Sequence, residues 1–171
     1  VTVKELRQSA IRDDLWDRVE PAFDVACAPD WDPDAHPRDP SGGLGLIVSH
    51  LHAEGLAGEA LALRLERLPA LSSYDVSRIV ESLSPGEGRR EPMSAAEIRE
   101  CAHRALHQAA IRRPLVVWFD DAHSQEETLV LGRHLLRMQA VQPHPTLLVW
   151  TVQDESLAEL PSAVALVDEL A

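Results

Sequence analysis

The fold is decided by the stretch Leu115-Val-Val-Trp-Phe-Asp-Asp121. Its uninterrupted apolar run is typical of a central strand in a parallel sheet that is covered on both faces. The two aspartates end this strand abruptly, and a helical pattern over residues 128–140 and a second apolar strand over residues 146–152 follow. The order strand, helix, strand predicts a right-handed crossover and a parallel α/β sheet.

The aspartate pair is the main candidate for chemistry. Open parallel sheets bind their ligands at the carboxyl ends of the strands, where Asp120 and Asp121 are expected to lie. In a nucleotide hydrolase the first carboxylate helps to hold Mg²⁺, and the second helps to polarise water. The alternative is that the two residues only end the strand and begin a helix-capping turn.

A wider segment carries a family resemblance. It consists of Arg113-Pro-Leu-Val-Val-Trp-Phe-Asp-Asp-Ala-His-Ser124, a leucine-rich helix and the strand Thr146-Leu-Leu-Val-Trp-Thr151. This segment resembles the AAA-like ATPases of bacterial STAND regulators, modules that often follow serine/threonine kinase domains. The resemblance implies a three-layer α/β fold with a mainly parallel sheet, like that of a P-loop NTPase but incomplete or degenerate, with a helical insertion.

The resemblance also assigns roles to individual residues. It implies that Asp120 is the Walker B aspartate associated with the metal ion Mg²⁺, that Asp121 is the neighbouring catalytic acid, and that Thr151 stands near the sensor position. His123 fills a turn where the family often has histidine, whereas Ser124 stands where a tryptophan usually follows. This departure weakens the match in the detail of the site.

The sequence has no phosphate-binding loop. Such a loop needs glycines that let backbone N–H groups surround the phosphates and a lysine that reaches the outer oxygens. The sole lysine is Lys4, which has no glycine-rich context, and the glycine cluster Ser41-Gly-Gly-Leu-Gly45 is better explained as a joint between a loop and a helix. In related modules the P-loop unit lies between elements that resemble residues 11–19 and 23–27, so it is expected to be missing there. ATP and Mg²⁺ are therefore expected cofactors of the family and not of this chain.

The 171 residues are expected to form one ATPase-like domain or a fragment of one. Residues 29–45 are rich in proline, aspartate and glycine, which predicts an exposed, flexible loop. Leucines recur at helical spacing over residues 44–83 and predict a helical insertion, and residues 115–154 are expected to hold the Walker B and sensor-strand core. Capping boxes at Thr2/Glu5, Ser94/Glu97 and Ser124/Glu127 predict three helix starts.

Histidines and cysteines give weaker signals. His50 with His52, and His103 with His107 at helical i,i+4 spacing, could in principle hold a metal, but neither pair has an adjacent third ligand of clear type. Surface or capping histidines are therefore the favoured interpretation. The two cysteines are too few and too far apart for a disulfide framework or a four-ligand zinc site, which predicts small buried apolar residues.

The overall charge narrows the class of partner. A net charge of −12 excludes nucleic acid as an expected partner, because nucleic-acid binding depends on neutralising phosphates. No apolar run is long enough to span a bilayer, so a cytoplasmic location without membrane contact is expected. The resulting prediction is an ATPase-like regulatory module of a bacterial signal-transduction protein, with protein partners or self-association. The alternative is a non-catalytic interaction scaffold derived from an ATPase fold.

Overall fold

The chain has an α/β fold in its computed structural model, which describes residues 24–27, 39, 41–83, 92–119 and 126–151. Within these residues there are three strands and five helices. In chain order they are β1 Asp24–Cys27, α1 Gly43–His50, α2 Gly58–Leu65, α3 Ser73–Leu83, α4 Ala95–Arg112, β2 Leu115–Phe119, α5 Glu126–Val141 and β3 Thr146–Trp150. The predicted fold class is confirmed at this level, whereas the helix start predicted at Thr2/Glu5 lies outside the described residues.

The three strands form one parallel sheet in the order β1-β2-β3. Val117 in the central strand is level with Ala26 on one side and Leu148 on the other. The last residue of β2, Phe119, is level with Trp150. The prediction that the two apolar runs are neighbouring parallel strands joined by one helix is therefore confirmed.

One face of the sheet packs against the helices. Leu115, Val117 and Phe119 alternate along β2 and belong to the same buried cluster as residues from all five helices. The opposite face carries the residues between them, and it includes Trp118, which is buried, and Leu147 of β3, which is 61% exposed. The described helices therefore share a core with a single face of the sheet.

The predicted capping box at the start of α4 is confirmed. The backbone N–H of Glu97 donates to the Ser94 hydroxyl oxygen at 3.2 Å, and the backbone N–H of Ser94 donates to the Glu97 carboxylate at 2.7 Å. Two N–H groups that have no partner within the helix are thereby satisfied. In the capping box predicted for α5, Ser124 lies outside the described residues.

The end of the predicted flexible loop is buried instead of exposed. Asp39 and Ser41 are each 1% exposed, and α1 begins at Gly43, inside the range 29–45 predicted as a loop and one residue before the helical insertion predicted over residues 44–83. Helix α1 packs against β1 and α4, which explains why its first turn is buried. Residues 29–38 and 40 lie outside the described part of the chain.

The middle of α5 approaches β3 closely. A Cβ atom at Gly132 would lie 2.7 Å from Nε1 of Trp150 and 2.8 Å from its Cζ2. The Trp150 ring in turn stacks on Phe119, with ring centroids 5.6 Å apart and an angle of 10° between the planes. The absence of a side chain at Gly132 therefore sets the distance between helix and sheet beside the end of β2.

We expect Gly132→Ala to destabilise the chain even though alanine favours a helix. The propensity gain is about 1 kcal/mol, whereas forcing the Trp150 ring away costs about 2 kcal/mol. Chemical denaturation measures the net loss. In a Trp150→Phe background the shorter ring leaves room, so the same substitution should be neutral or stabilising there. A stabilising Gly132→Ala in the wild-type background would contradict the close approach.

Among the described helices, none combines the length and the apolar character that crossing a membrane requires.

Candidate functional site

The carboxyl end of β2 is the first candidate site, as the sequence predicts. The backbone N–H of Thr151 donates to the carbonyl oxygen of Phe119 at 3.0 Å, so the parallel pairing continues to the residue that precedes Asp120. Thr151 is half-buried. Asp120 and Asp121 lie outside the described residues, and so do His123 and Ser124. The structure thus places Thr151 beside the end of β2 but does not place the two carboxylates.

The start of α1 is the second place where an anion could bind, because backbone N–H groups converge there. This position holds a carboxylate from the chain itself. One oxygen of Asp39, Oδ2, accepts hydrogen bonds from the backbone N–H groups of Leu44 at 2.8 Å and Gly45 at 3.0 Å. The hydroxyl of Ser41 donates to Oδ1 at 3.3 Å and accepts from the N–H of Gly43 at 3.3 Å. The glycine cluster is therefore a loop-to-helix joint, as expected, and not a phosphate cradle.

The capping carboxylate has an unusual electrostatic environment. Burial raises the pKa of Asp39 from 3.8 to about 6, although the hydrogen bonds from backbone N–H groups and from Ser41 act in the opposite direction. Neighbouring glycine assists the geometry, since Gly42 adopts a φ of 68°, a left-handed conformation that glycine tolerates without strain. Leucine spacing gave no sign of this arrangement, and the usual N-cap signal is absent because the N-cap residue is Gly42 and Asp39 lies three residues before it.

A cluster of four histidines is the third candidate, of which the sequence interpretation named only one pair and favoured surface or capping roles for it. We call His103, His107, His134 and His144 the histidine cluster. His103 and His107 lie one turn apart on α4, His134 comes from α5, and His144 precedes β3. The ring centroids of His103 lie 5.8 Å from those of His107 and of His134, and the His107 and His144 rings are 4.8 Å apart.

Several imidazole nitrogens in the cluster have no hydrogen-bond partner. Both ring nitrogens of His103 are buried and unpartnered, and so are Nε2 of His134 and Nδ1 of His144. Burial lowers the pKa of each of these three residues, so that the rings are neutral at about pH 7. Neutral imidazoles with free nitrogens are the form in which histidine binds metal ions. His103 is only 4% exposed, which corrects the interpretation of this pair as surface histidines.

A carboxylate completes a possible ligand set. Glu100, His103 and His134 each offer one ligand atom, and these atoms all lie within 4.8 Å of one another. The sequence signal that was available is Glu100 with His103 at i,i+3, because these positions share one face of a helix. His134 could not be found from spacing, since it reaches the group only when α5 packs against α4.

A cavity of about 310 Å³ opens beside the cluster, and its lining includes His103, His107 and Gln108. The lining also includes Arg104, whose two terminal nitrogens bind the carboxylate of Asp75 at 3.1 Å each.

Burial raises the pKa of the nearby Cys101 thiol to about 12, so this thiol is neutral and unreactive. The expectation of a small buried cysteine is met at Cys101, whereas the side chain of Cys27 lies outside the described residues.

The other histidine pair behaves differently. His50 is half-buried at the end of α1, and His52 is exposed with a φ of 49°. Among the described residues the only group of three or more candidate ligands is Glu100, His103 and His134, so His50 and His52 gain no third ligand there.

No family model, no curated protein and no solved structure matches the chain.

Proposed function

We propose that this chain is a regulatory module of a bacterial signalling protein, that it is built on an ATPase-like sheet, and that it does not bind ATP appreciably. The observation that carries the proposal is the hydrogen bond between the Thr151 N–H and the Phe119 carbonyl, 3.0 Å long. It brings the proposed sensor position beside the strand that runs into Asp120 and Asp121, the proposed metal-associated and catalytic acids. This is where parallel α/β sheets bind ligands.

The pattern of the sheet supports the ATPase-like part of the proposal. The strand that leads to the aspartate pair is central and buried, and its parallel neighbour β3 follows after one helix. On the face opposite the described helices, Trp118 is 2% exposed although it is absent from the shared helical core. A large apolar side chain buried on that face favours a third layer, as in the three-layer fold that the family resemblance implies.

The second part of the proposal is that this chain binds another protein or a second copy of itself. Leu147 on β3 is 61% exposed, and Val141 at the end of α5 is 73% exposed. Among the described strands, β3 pairs on one side only. Leu147 is thus an exposed apolar residue on an edge strand, a position that favours association with another chain or segment. Self-association or a protein partner is therefore part of the proposal, and the net charge of −12 argues against nucleic acid.

We expect no ATP binding for two reasons, which are the negative charge at the strand end and the lack of hydrogen-bond donors for phosphate. ATP carries several negative charges, and the strand-end site offers carboxylates that repel phosphate unless Mg²⁺ lies between them. The N–H groups at the start of α1 already bind Asp39. Without a P-loop or its lysine, few donors remain for the β and γ phosphate oxygens.

Titration calorimetry of the whole chain with Mg-ATP tests this proposal. We expect no binding tighter than about 100 µM, which corresponds to roughly −5.5 kcal/mol. Asp120→Ala is the matched variant, and it should give the same blank titration. Tighter binding that disappears in Asp120→Ala would show that a nucleotide site exists at the end of β2 and would overturn the proposal.

A further inference from the structure

We propose that Glu100, His103 and His134 bind one Zn²⁺ ion between α4 and α5. This metal site is separate from the strand-end position proposed for Asp120 and Asp121. Two histidines and one glutamate are a ligand set that zinc uses when it keeps an open coordination position. The three ligand atoms lie within 4.8 Å of one another, with Glu100 exposed, His134 half-buried and His103 buried.

The geometry requires only small movements. Ligand atoms around a tetrahedral zinc ion lie roughly 3.3 Å apart, because each zinc–ligand distance is about 2.0 Å. Glu100 and His103 already share one face of α4, and the ring of His134 faces that of His103 edge-on at 5.8 Å. The Glu100 side chain is exposed and can rotate toward the two rings without disturbing the core. Side-chain rotation is therefore enough to bring the three atoms to metal-binding distances.

The unpartnered nitrogens of His103 are the second, independent observation. A buried polar atom without a partner is destabilising, and His103 has two such atoms while being 4% exposed. An ordinary core histidine is hydrogen-bonded on at least one nitrogen. A zinc ion would satisfy one nitrogen of His103 and also the unpartnered Nε2 of His134.

The surroundings of Glu100 fit a metal ligand. Nε of Arg104 lies 3.5 Å from Oε1 of Glu100, so one carboxylate oxygen faces a cation and the other is available to a metal ion. A contact of this kind can orient a ligating carboxylate, and the repulsion between the guanidinium and a cation is reduced because Arg104 is paired with Asp75. Arg104 is itself held by Asp75 and by the carbonyl oxygen of Ala70, at 3.0 Å. The carboxylate is therefore supported by a fixed arginine.

Zinc at this position would connect the two helices that precede and follow β2. Helix α4 leads into the strand, and α5 follows the segment that contains Asp120. A metal that binds only the folded chain raises its stability in proportion to the logarithm of metal concentration over Kd. The chain should therefore unfold at a higher temperature with zinc than with a chelator.

The test uses the untagged chain, freed of metal by a chelator, and titrates it with Zn²⁺ in a calorimeter. We expect one ion per chain with a Kd of about 1 µM or tighter. Glu100→Gln and His134→Gln should each weaken binding by at least about tenfold. His52→Asn is the matched control, because it removes an exposed imidazole from a position with positive φ that asparagine tolerates. Its affinity should equal that of the wild type.

Two further measurements make the result decisive. Thermal unfolding of each variant in a chelator shows whether that variant is folded. If His134→Gln does not fold, Glu100→Gln alone tests the zinc site, since Glu100 is exposed and its replacement should leave the fold intact. Binding no tighter than about 100 µM in the wild type, or unchanged affinity in folded Glu100→Gln, would overturn the proposal. Loss of binding in His107→Gln with retention in Glu100→Gln would do so as well, because it would place the metal at the other end of the histidine cluster.

Discussion

Asp39→Asn is expected to abolish a fall of about 3 kcal/mol in the free energy of unfolding between roughly pH 4 and pH 6. Burial raises the pKa of Asp39 from 3.8 to about 6 in the folded chain. The folded state therefore holds its proton to a higher pH than the unfolded state does. Stability from this group is fully present below about pH 4, is lost as the pH rises to about 6, and does not change further above that. An asparagine has no proton to lose.

The measurement is the difference in unfolding free energy between the variant and the wild type, obtained from denaturant curves at several pH values. Taking the difference removes the titration of all other groups. From pH 4 to pH 7 the unfolding free energy of the asparagine variant should rise relative to that of the wild type. A flat difference would mean that the Asp39 carboxylate is not buried as the structure has it.

Asp39→Ala separates the hydrogen bonds from the charge. Alanine also has no titrating proton, but it leaves the N–H groups of Leu44 and Gly45 without an acceptor. We expect it to be about 3 kcal/mol less stable than Asp39→Asn at every pH, since each buried unpaired donor costs about 1–3 kcal/mol. Glu59→Ala removes an exposed acid from the first turn of α2 and is the control, with an expected change of about 0.5 kcal/mol.

The sequence predicted those elements whose signal is local. The apolar runs at β2 and β3 predicted parallel strands, because runs this short and rich in β-branched and aromatic residues favour a strand over a buried helix. The burial expected of such runs is observed for β2, whereas no residue of β3 is fully buried and Leu147 is 61% exposed. The Ser94/Glu97 box specified the start of α4, since both partners lie within one turn. The early start of α1 was missed because its cap, Asp39, lies in a segment whose composition is typical of a loop.

The candidate sites were harder to predict than the helices and strands, because their residues come together only in the folded chain. Asp120, Asp121 and Thr151 were selected because strand ends in a parallel sheet converge, and the register of Phe119 with Trp150 is consistent with that reasoning. Of the proposed zinc ligands only His103 was named as a possible metal ligand, because His134 joins Glu100 and His103 only through the packing of two helices. Sequence spacing gives which residues share one helix face, but it does not give which face of the next helix they meet.

Arg104→Met is expected to destabilise the chain by about 2 kcal/mol at pH 7, because it leaves the largely buried Asp75 carboxylate without its cation. Burial alone would raise the pKa of Asp75, but hydrogen bonds from Arg104 and Ser72 lower it from 3.8 to about 2. A shift of this size corresponds to roughly 2.5 kcal/mol, and since the Arg104 side chain is 34% exposed, solvent screening reduces the charge contribution to about 1–2 kcal/mol. The remainder comes from the lost hydrogen bond to the Ala70 carbonyl.

The sign of the pH dependence distinguishes this pair from Asp39. The folded pKa of Asp75 is depressed, so its stabilisation is present above about pH 4 and is lost as the pH falls toward 2. The difference in unfolding free energy between wild type and Arg104→Met should therefore become smaller as the pH falls. The measurement is made in a chelator so that no metal at Glu100 contributes. Asp75→Asn and the double variant complete a cycle, and their coupling energy should be at least about 1 kcal/mol at pH 7. Additive effects across the cycle, or a gap that is constant down to pH 3, would show that the ion pair does not hold α3 to α4.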